Sequence, residues 1–327
     1  MSTEKTMQAI ALDKFGGIEA MQFQTIAIPR IEANQVLIRV DVAGVGVWDP
    51  YEREGGYAEA LPDKPRFPYV LGSEGAGEVV DIGSHVNNIN VGDRVYATAF
   101  LNPKGGFYAE YAVVDSSLVA LVPDYLTMQQ AGVMGGIGTT ALRGLDDILK
   151  IKPDETLLIL GASGGIGHIA VQLAKGMGAS VFAVASGKDG VEFVTKLGAD
   201  RVVDGRQDDV PSLIKAFAPE GLGAALLTAG GEVAERILSH MPPHSRVAYP
   251  NGIQPVSREY PGLQITAYNG EPDADIIRRF DKLIKARNYI IHVAQVFPLK
   301  DAQMAHQTLD SHYLGKLALG ISNYSAD

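Results

Sequence analysis

The stretch Leu157-Leu158-Ile159-Leu160-Gly161-Ala162-Ser163-Gly164-Gly165-Ile166-Gly167 decides the fold class of this chain. Residues 157–160 form a continuous apolar run, which is typical of a strand buried on both faces of a sheet. Apolar residues then recur at helical spacing, at Ile166, Ile169, Ala170 and Leu173. A strand, a glycine turn and a helix start in this order place free backbone amides opposite a pyrophosphate. We therefore predict that residues 161–167 bind a dinucleotide, with a tight structural turn alone as the alternative.

A second segment, Gly132–Gly138, fits the same G-x-x-G-G-x-G pattern. No strand pattern precedes it. Instead, Thr127-Met128-Gln129-Gln130 forms a Thr-x-x-Gln capping box, which indicates a helix start. We therefore expect this segment to serve close packing, or to form a flat wall beside a ligand, rather than to hold a phosphate.

From Glu155 onward, apolar strand patterns alternate with helical ones. The strand candidates lie at 157–160, 181–185, 202–203, 224–228, 246–249 and 263–267. Six strands joined by crossover helices predict an α/β fold with a doubly wound parallel sheet. A further helix is expected after Glu271, where apolar residues again follow helical spacing at Ile276, Ile277, Phe280 and Ile284.

The first 120 residues show a different pattern, of short strands and turns. Apolar residues alternate along Val36–Val42, and the segments 77–83 and 92–96 have strand patterns bounded by glycine. The segment 53–67 is rich in glycine and proline and lacks periodicity, so we expect a loop there. These features predict a β-rich first part of the chain.

Composition limits the domain count and the classes of partner. With 327 residues the chain exceeds the roughly 250–300 residues at which a single core stops growing, so two domains are expected. The net charge is −10 and no run rich in Lys or Arg occurs, which argues against nucleic acid and against a membrane as partners. The short polar start, Met1–Thr6, lacks an apolar signal segment, so we expect a cytoplasmic protein.

The chain contains no cysteine, which excludes disulfides, thiolate nucleophiles and every zinc site that uses cysteine. Only His, Asp and Glu side chains remain as ligands for a transition metal.

The residues after the second strand of the predicted sheet bear on the choice of dinucleotide. No Asp or Glu ends this strand to bind the ribose hydroxyls; it ends Val184-Ala185-Ser186-Gly187-Lys188. Ser186 can donate a hydrogen bond to a 2′-phosphate and Lys188 can neutralise it, which predicts NADPH (NADP+) rather than NADH. The alternative is that Lys188 is a solvated residue at the start of a helix, with Asp189 beside it.

Nearly the whole chain resembles the medium-chain dehydrogenase/reductase superfamily, and within it the zinc-free quinone oxidoreductase and enoyl reductase branch. The resemblance rests on several motifs and on their order along the chain. They are Leu71-Gly72-Ser73-Glu74-Gly75-Ala76-Gly77, Val91-Gly92-Asp93-Arg94-Val95, Gly105-Gly106-Phe107-Tyr108-Ala109-Glu110-Tyr111, the glycine turn, Leu197-Gly198-Ala199-Asp200, Phe297-Pro298-Leu299 and Gly315-Lys316-Leu317. The resemblance implies a Rossmann sheet plus a GroES-like β-rich domain. The expected domains are 1–124 with 269–327 for the GroES-like part and 125–268 for the Rossmann part.

The resemblance also bears on metal chemistry. Zinc-dependent members of the family would place Cys where Gly46 stands and His where Ser73 stands, and only Glu74 matches. The four-cysteine structural zinc lobe is also missing, because only the short turn 102–104 precedes the Gly105-Gly106-Phe107 motif. We therefore expect no metal.

The resemblance implies three catalytic candidates. Tyr57 matches a proposed proton donor of enoyl-thioester reductases, and Tyr51 would form a pocket wall or donate a hydrogen bond. Thr140 matches a threonine beneath the nicotinamide and would hold the carboxamide. The alternatives are exposed loop hydroxyls for the tyrosines and a hydroxyl bonded to its own helix for Thr140. Trp48 is expected to pack rather than to recognise substrate.

The chain departs from the family pattern at three positions. Quinone reductases often carry Asn in place of Gly46, and an Asp is usual in place of Leu227. A Tyr often flanks the 2′-phosphate where this chain has Gly205, and Arg206 beside it is a candidate charge substitute. Each departure affects the substrate or cofactor contacts rather than the fold.

Together these features predict an NADPH-dependent reductase that transfers hydride to quinones or other α,β-unsaturated carbonyl compounds. A 2-enoyl thioester reductase and a non-catalytic NADPH-binding or redox-sensing protein are the alternatives. The last strand of the predicted sheet, Leu263–Ala267, would leave an unpaired edge, and by resemblance two such edges join to make a homodimer.

Overall fold

The computed structural model describes residues 5–60, 65–253 and 259–321. The strands of this part of the chain are β1 (Thr6–Leu12), β2 (Met21–Ala27), β3 (Gln35–Val45), β4 (Tyr69–Val70), β5 (Glu74–Ile82), β6 (Arg94–Thr98), β7 (Tyr111–Asp115), β8 (Val119–Leu121), β9 (Thr156–Leu160), β10 (Ser180–Ala185), β11 (Arg201–Asp204), β12 (Ala224–Leu227), β13 (Arg246–Pro250), β14 (Gln264–Tyr268), β15 (Val293–Pro298) and β16 (Lys316–Gly320). The helices are α1 (Asp49–Arg53), α2 (Met128–Gly132), α3 (Gly135–Leu142), α4 (Gly165–Gly176), α5 (Gly187–Lys196), α6 (Val210–Phe217), α7 (Glu232–Leu238), α8 (Ala274–Ala286) and α9 (Ala302–Thr308), with a π-helical turn at Arg143–Ile148.

The chain divides into two compact units. One comprises residues 1–136, 272–288 and 292–327, and the other comprises 137–271 and 289–291. The domain boundaries expected from the resemblance, 124/125 and 268/269, remain a prediction.

The unit of residues 137–271 contains a six-stranded parallel sheet in the order β11-β10-β9-β12-β13-β14. Each predicted strand coincides with one observed strand to within two residues at either end, so the doubly wound parallel sheet is confirmed. β9 lies in the middle of the sheet, where Leu157, Leu158 and Ile159 are fully buried. Burial on both faces explains the continuous apolar run, since neither face of the strand meets water.

The close approach of α4 to the end of β9 requires glycine. Gly161 has φ +79°, a left-handed conformation that favours glycine, and a Cβ built on Gly167 would overlap the Gly161 carbonyl oxygen. The turn can therefore reverse the chain within a few residues and bring the helix start directly over the strand end.

The other unit is built around two sheets. The larger has the order β15-β16-β3-β5-β6-β8, with β7 also paired to β3, and the smaller has the order β2-β1-β4. All of these pairs are antiparallel except β15 with β16. The β-rich character predicted for the first 120 residues and the GroES-like fold class are confirmed.

Two local predictions have different outcomes. The capping box is present, because Thr127 Oγ1 accepts from the Gln130 amide at 3.2 Å and Gln130 Oε1 accepts from the Thr127 amide at 3.0 Å.

The loop predicted for 53–67 is wrong at its start, where Arg53 ends α1, and a 3-10 turn forms at Ala58–Ala60. Proline near the helix start and acidic residues in its first turn favour α1, which is too short to produce periodicity. Residues 61–64 of that segment lie outside the described residues.

Within the described ranges, no helix combines the length and apolar character needed to cross a bilayer.

Candidate functional site

The glycine turn lies where three parallel strands end. The amides of Gly161 and Ala162 donate to the Val184 carbonyl at 3.1 and 3.0 Å, which joins the ends of β9 and β10. Thr228 Oγ1 donates to the Leu160 carbonyl at 2.8 Å, which joins the ends of β9 and β12. Ligands of open parallel sheets bind outside the carboxyl ends of the strands, so the predicted dinucleotide residues occupy the expected edge.

The residues of this turn fit a dinucleotide pyrophosphate. The first amides of α4 have no acceptor within the helix, and the positive end of its dipole points to the turn. Gly164 is partly exposed, and a Cβ built on it would have the Gly161 carbonyl oxygen, at 3.4 Å, as its one neighbour within 4 Å. An anion can therefore approach the backbone closely at this point.

The residues predicted to select the 2′-phosphate lie at the ends of β10 and β11. Ser186 precedes α5 and makes no side-chain cap, and the Lys188 side chain is 91% exposed, with Nζ 3.9 Å from the Glu192 carboxylate. Arg206 is exposed and follows β11. The sequence interpretation missed Asp204, whose Oδ1 accepts from the amides of Gly187 at 3.2 Å and Arg206 at 3.0 Å. This carboxylate connects the two segments that carry the predicted contacts.

Thr140 lies in α3 and is buried. Its carbonyl oxygen accepts from the Tyr268 hydroxyl at 3.0 Å, and its Oγ1 faces the backbone at Gly270. Thr140 is therefore fixed against the residues that follow β14, and its contact with a nicotinamide stays a prediction.

The two candidate tyrosines are brought together. Tyr51 lies on α1 and is 55% exposed, and its ring meets that of Tyr57 edge to face with centroids 4.7 Å apart. Tyr57 makes a second edge-to-face contact with Phe100, at 5.1 Å. Burial raises the pKa of Tyr57, and so do, in decreasing order, the charges that Glu52, Tyr51 and Asp49 carry when ionised. The Tyr57 hydroxyl is therefore protonated at neutral pH and can act as an acid.

The positions that hold zinc in zinc-dependent relatives do not fit a metal ion here. Gly46 offers no donor, and a Cβ built on it would overlap the Trp48 ring. Trp48 Nε1 donates to Ser73 Oγ at 2.9 Å, so the indole also covers the second position. Glu74, the matching third residue, forms a buried ion pair with Lys316 at 2.7 Å. The Trp48 ring occupies the volume that a ligand side chain at position 46 would need, and Lys316 neutralises the carboxylate of Glu74.

Lys316 supplies a positive charge at this place. Its Nζ lies 4.0 Å from the centroid of the Trp48 ring, in a cation–π contact. Trp48 therefore packs against a cation, and its predicted lack of a role in substrate recognition stays a prediction. No group of three His, Asp or Glu side chains that could bind a metal occurs in the described part of the chain.

A buried chain of hydrogen bonds runs from Asp49 to Arg53. Asp49 Oδ2 accepts from the Gly46 amide at 2.8 Å and from the Tyr108 hydroxyl at 2.7 Å. His306 Nε2 is 3.2 Å from the Tyr108 oxygen, and His306 Nδ1 is 3.0 Å from Arg53 Nη1. Because a guanidinium only donates, Nδ1 accepts and the proton of the neutral ring sits on Nε2. Burial and the charge of Arg53 lower the pKa of His306 to about 3, in agreement with a neutral ring.

Two buried carboxyl groups share one face of α1. Glu52 Oε1 accepts from the Tyr69 hydroxyl at 2.7 Å, and Asp49 lies three residues earlier on the helix. Burial, opposed by its hydrogen-bond donors, raises the pKa of Asp49 to about 6. Burial and the nearby Asp49 charge raise the pKa of Glu52 to about 8. The difference follows from the Asp49 charge, which raises the pKa of Glu52, and from the donors, since Asp49 receives two hydrogen bonds and Glu52 receives one.

The sequence interpretation missed Glu52, Tyr69 and His306. The spacing of Asp49 and Glu52 next to Pro50 was a signal, because Pro at a helix start with acids three residues apart predicts a helix with both carboxyls on one side. No local pattern identifies Tyr69 or His306 as partners.

Two family models match parts of the chain. The alcohol dehydrogenase GroES-like domain matches residues 32–124, and the zinc-binding dehydrogenase domain matches residues 165–255.

Individual proteins are similar over larger parts of the chain. A quinone oxidoreductase of Sus scrofa is 38% identical over 66% of this chain, and an alcohol dehydrogenase of Geobacillus stearothermophilus is 31% identical over 70% of it. The matches cover 64% and 72% of those two proteins, so the chain matches just under two thirds of the porcine quinone oxidoreductase. The structure of the Escherichia coli quinone oxidoreductase complexed with NADPH superposes with a TM-score of 0.81 at 25% identity, covering 96% of this chain and 99% of its own.

Replacing Glu52 by Gln should flatten the dependence of stability on pH. The pKa of Glu52 is raised from 4.5 to about 8 on folding, so the folded chain holds this proton more tightly than the unfolded chain. That stabilisation is complete below pH 4.5 and is lost as the pH rises to about 8. The Glu52 contribution should be a loss of about 1.4 kcal/mol per pH unit between about pH 5.5 and about pH 7, falling to half that slope at about pH 8. The difference in slope between the wild type and Glu52→Gln separates this contribution from those of Asp49, His292 and His306.

Urea unfolding at several pH values in this window measures the slope. Glu59→Gln, at an exposed position on the same segment, is the matched control and should keep the wild-type slope. Equal slopes for the wild type and Glu52→Gln would contradict a protonated Glu52.

Proposed function

Because the chain belongs to the quinone oxidoreductase-like branch of the medium-chain dehydrogenase/reductase superfamily, we propose that it is an NADPH-dependent oxidoreductase that transfers hydride to quinones or other α,β-unsaturated carbonyl compounds. The observation that carries the proposal is the glycine turn at the carboxyl ends of β9, β10 and β12, which fits a dinucleotide. The similarity to a quinone oxidoreductase complexed with NADPH supports the same cofactor for this chain.

The chain's own residues would hold NADPH at two places. Backbone amides of residues 161–167 and the start of α4 would bind the pyrophosphate. Ser186, Lys188 and Arg206 would bind the 2′-phosphate, because a partly exposed hydroxyl and two exposed cations lie at the ends of β10 and β11. The carboxylate of Asp204 is engaged by two backbone amides, which reduces its repulsion of a phosphate.

Bound NADPH supplies the hydride, and the chain handles the proton. The protonated Tyr57 hydroxyl would donate to the anion that forms on the reduced acceptor, with Tyr51 as a wall beside it. Thr140 would hold the carboxamide. Quinones and enones delocalise the incoming negative charge themselves, so they do not need the Lewis acid that Gly46, Ser73 and Glu74 are unable to hold.

We propose that the chain forms a homodimer through the edge of its parallel sheet. β14 is the last strand of that sheet, and Gln264, Thr266 and Ala267 on it are exposed. An exposed edge offers unpaired backbone groups to a second copy, and a two-fold axis satisfies both edges at once.

Purified protein should oxidise NADPH in the presence of a quinone or enone without added zinc. Loss of NADPH absorbance against a panel of quinones, enones and a crotonyl thioester measures the activity, before and after dialysis against EDTA. Unchanged rates after dialysis are expected, because the donors at the zinc positions are missing or engaged. Loss of activity that zinc restores would overturn the proposal. A faster rate on the thioester than on quinones would favour an enoyl thioester reductase. NADPH binding without turnover of any acceptor would favour a non-catalytic protein.

Alanine at two glycines of the turn should separate binding from folding. Gly164→Ala places a methyl group in ordinary van der Waals contact with the Gly161 carbonyl oxygen, at 3.4 Å, so stability should be unchanged while NADPH affinity falls at least about tenfold, because the methyl group meets the pyrophosphate. Gly167→Ala places the methyl group against Gly161, so stability should fall by about 1–3 kcal/mol as well. Urea unfolding and NADPH fluorescence titration check both. Wild-type NADPH affinity in Gly164→Ala would contradict the assignment of the turn.

Light scattering should give a mass of about twice 34.8 kDa. Thr266→Lys on β14 should yield a monomer, because two lysines would meet across the two-fold axis. Val202→Lys on β11, the opposite edge strand, is the matched control and should stay dimeric. A monomeric wild type, or a dimeric Thr266→Lys variant, would refute dimerisation through this edge.

A further inference from the structure

The side chain of Glu52 is almost completely buried, and only one of its two carboxyl oxygens has a hydrogen-bond partner among the described residues. It is 4% exposed, and Tyr69 donates to its Oε1. Its Oε2 has no hydrogen-bond partner among the described residues, and the same is true of Oδ1 of the fully buried Asp49. An unpaired carboxylate oxygen is costly in the interior, so two of them on one face of a short helix require an explanation.

One proton on this pair of carboxyl groups removes most of the cost. With both groups ionised, two like charges would be buried on one turn of helix, where residues three apart are neighbours. Asp49 is the group equipped to be charged, because two donors reach its Oδ2. Glu52 receives only the Tyr69 hydroxyl and is therefore the group that keeps the proton.

The groups whose charge acts on this pair come from several elements. The positive charge of Lys316 on β16 lowers the pKa of Asp49, and the negative charge of Glu74 on β5 raises it. The charges of Glu52 and Asp49 in turn raise the pKa of Tyr57. The remaining titratable groups around them are Tyr51, Arg53, Tyr69, Tyr108 and His306. Among these residues the protonation of Glu52 decides whether Tyr57 lies beside one negative charge or two.

We propose that Glu52 is a positioning residue for Tyr57: held neutral by burial beside the charged Asp49, it keeps the tyrosine hydroxyl an effective acid, and its ionisation weakens that acid. The proposal rests on the proposed function, in which Tyr57 is the proton donor. Its basis is the buried, unpaired carboxyl pair on α1 and the tyrosine cluster that follows that helix.

On an enone acceptor, the proposed proton transfer follows the addition of hydride. After hydride reaches the β-carbon, the Tyr57 O–H bond breaks, the proton forms a C–H bond at the α-carbon, and the electron pair stays on the tyrosine oxygen. Water then returns a proton to the phenolate. A second negative charge nearby disfavours the phenolate, so ionised Glu52 raises the pKa of Tyr57 and slows its donation.

A direct test measures the ionisation of Tyr57 by NMR of protein labelled with carbon-13 at the tyrosine ζ-carbon, with the Tyr57 signal assigned by its loss in Tyr57→Phe. Removing the ionisable group in Glu52→Gln should lower the pKa of Tyr57 by about one unit or more relative to the wild type. Glu59→Gln, at the exposed control position, should leave it unchanged. An unchanged Tyr57 pKa in Glu52→Gln would overturn the proposal.

The pH profile of kcat with NADPH and an enone gives the functional readout. The wild type should lose activity about 3–10-fold as Glu52 ionises near pH 8, and Glu52→Gln should keep its activity to a higher pH. Tyr69→Phe removes the one hydrogen bond that favours ionised Glu52, so it should move the alkaline fall to higher pH, and it serves as a second variant where Glu52→Gln folds poorly. Superimposable profiles for all three proteins would overturn the proposal.

The proposed role of Tyr57 and the proposed role of Glu52 are tested by separate measurements. Absence of NADPH oxidation, or an unchanged kcat in Tyr57→Phe, would overturn the proposed role of Tyr57 as the acid, while the NMR titration still decides whether Glu52 controls its ionisation. Slow turnover in Tyr57→Phe together with an unaltered titration in Glu52→Gln would keep the proposed function and reject the positioning role.

Discussion

The buried ion pair between Lys316 and Glu74 is the interaction on which the rest of the candidate site depends. It joins β16, near the end of the chain, to β5, and the second oxygen of Glu74 accepts from the Gly136 amide at 2.7 Å. The ammonium also lies on the face of Trp48, whose indole nitrogen reaches Ser73. Removing one partner would leave an isolated charge in the interior, at a cost of about 3–5 kcal/mol. A single pair therefore holds together segments that are far apart in the sequence.

Next to this pair, two carboxyl groups with the same intrinsic chemistry have different environments. Asp49 is at the end of a chain of donors that begins with Arg53 and passes through His306 and Tyr108, and this chain favours its charge. Glu52 has one donor and a charged neighbour, and both its burial and that neighbour favour its neutral form. Pairs of titratable groups whose environments push their pKa values apart are a recurring arrangement in acid–base sites. The hydrogen bonds around α1 thus assign the charge to one residue and the proton to the other.

The parts of the fold that the sequence predicts are those in which the controlling contacts are local. Residues 157–167 determine a buried strand, a glycine turn and a helix start through their own periodicity and conformational limits, and the remaining parallel strands follow the same rule. The short helix α1 gives no periodic signal, and the segment from Arg53 was accordingly predicted as a loop. The hydrogen-bond chain from Arg53 to Asp49 was not predictable, because Arg53 and His306 are 253 residues apart and only tertiary packing brings them together. The family resemblance indicates Tyr51 and Tyr57, but a comparison of motifs does not reveal that the buried carboxyl groups of Asp49 and Glu52 raise the pKa of Tyr57.

The compensation of charge around Lys316 also limits the chemistry that the site can perform. Its ammonium is a cation at the place where zinc-dependent relatives hold their metal, yet Glu74 neutralises it and the Trp48 ring covers it. A cation paired in this way is a poor substitute for a Lewis acid, because drawing it toward a substrate oxygen would leave Glu74 buried and unpaired. In the proposed reaction, an acceptor would therefore have to stabilise its own negative charge after hydride addition. Conjugation does this in quinones and enones, and the protein would then supply one proton, from a hydroxyl group such as that of Tyr57. The substrate would thus stabilise the negative charge, and the protein would supply the proton. The proposed reductase can therefore lack the donors for a catalytic metal, but the ionisation of Glu52 still affects Tyr57 as its acid.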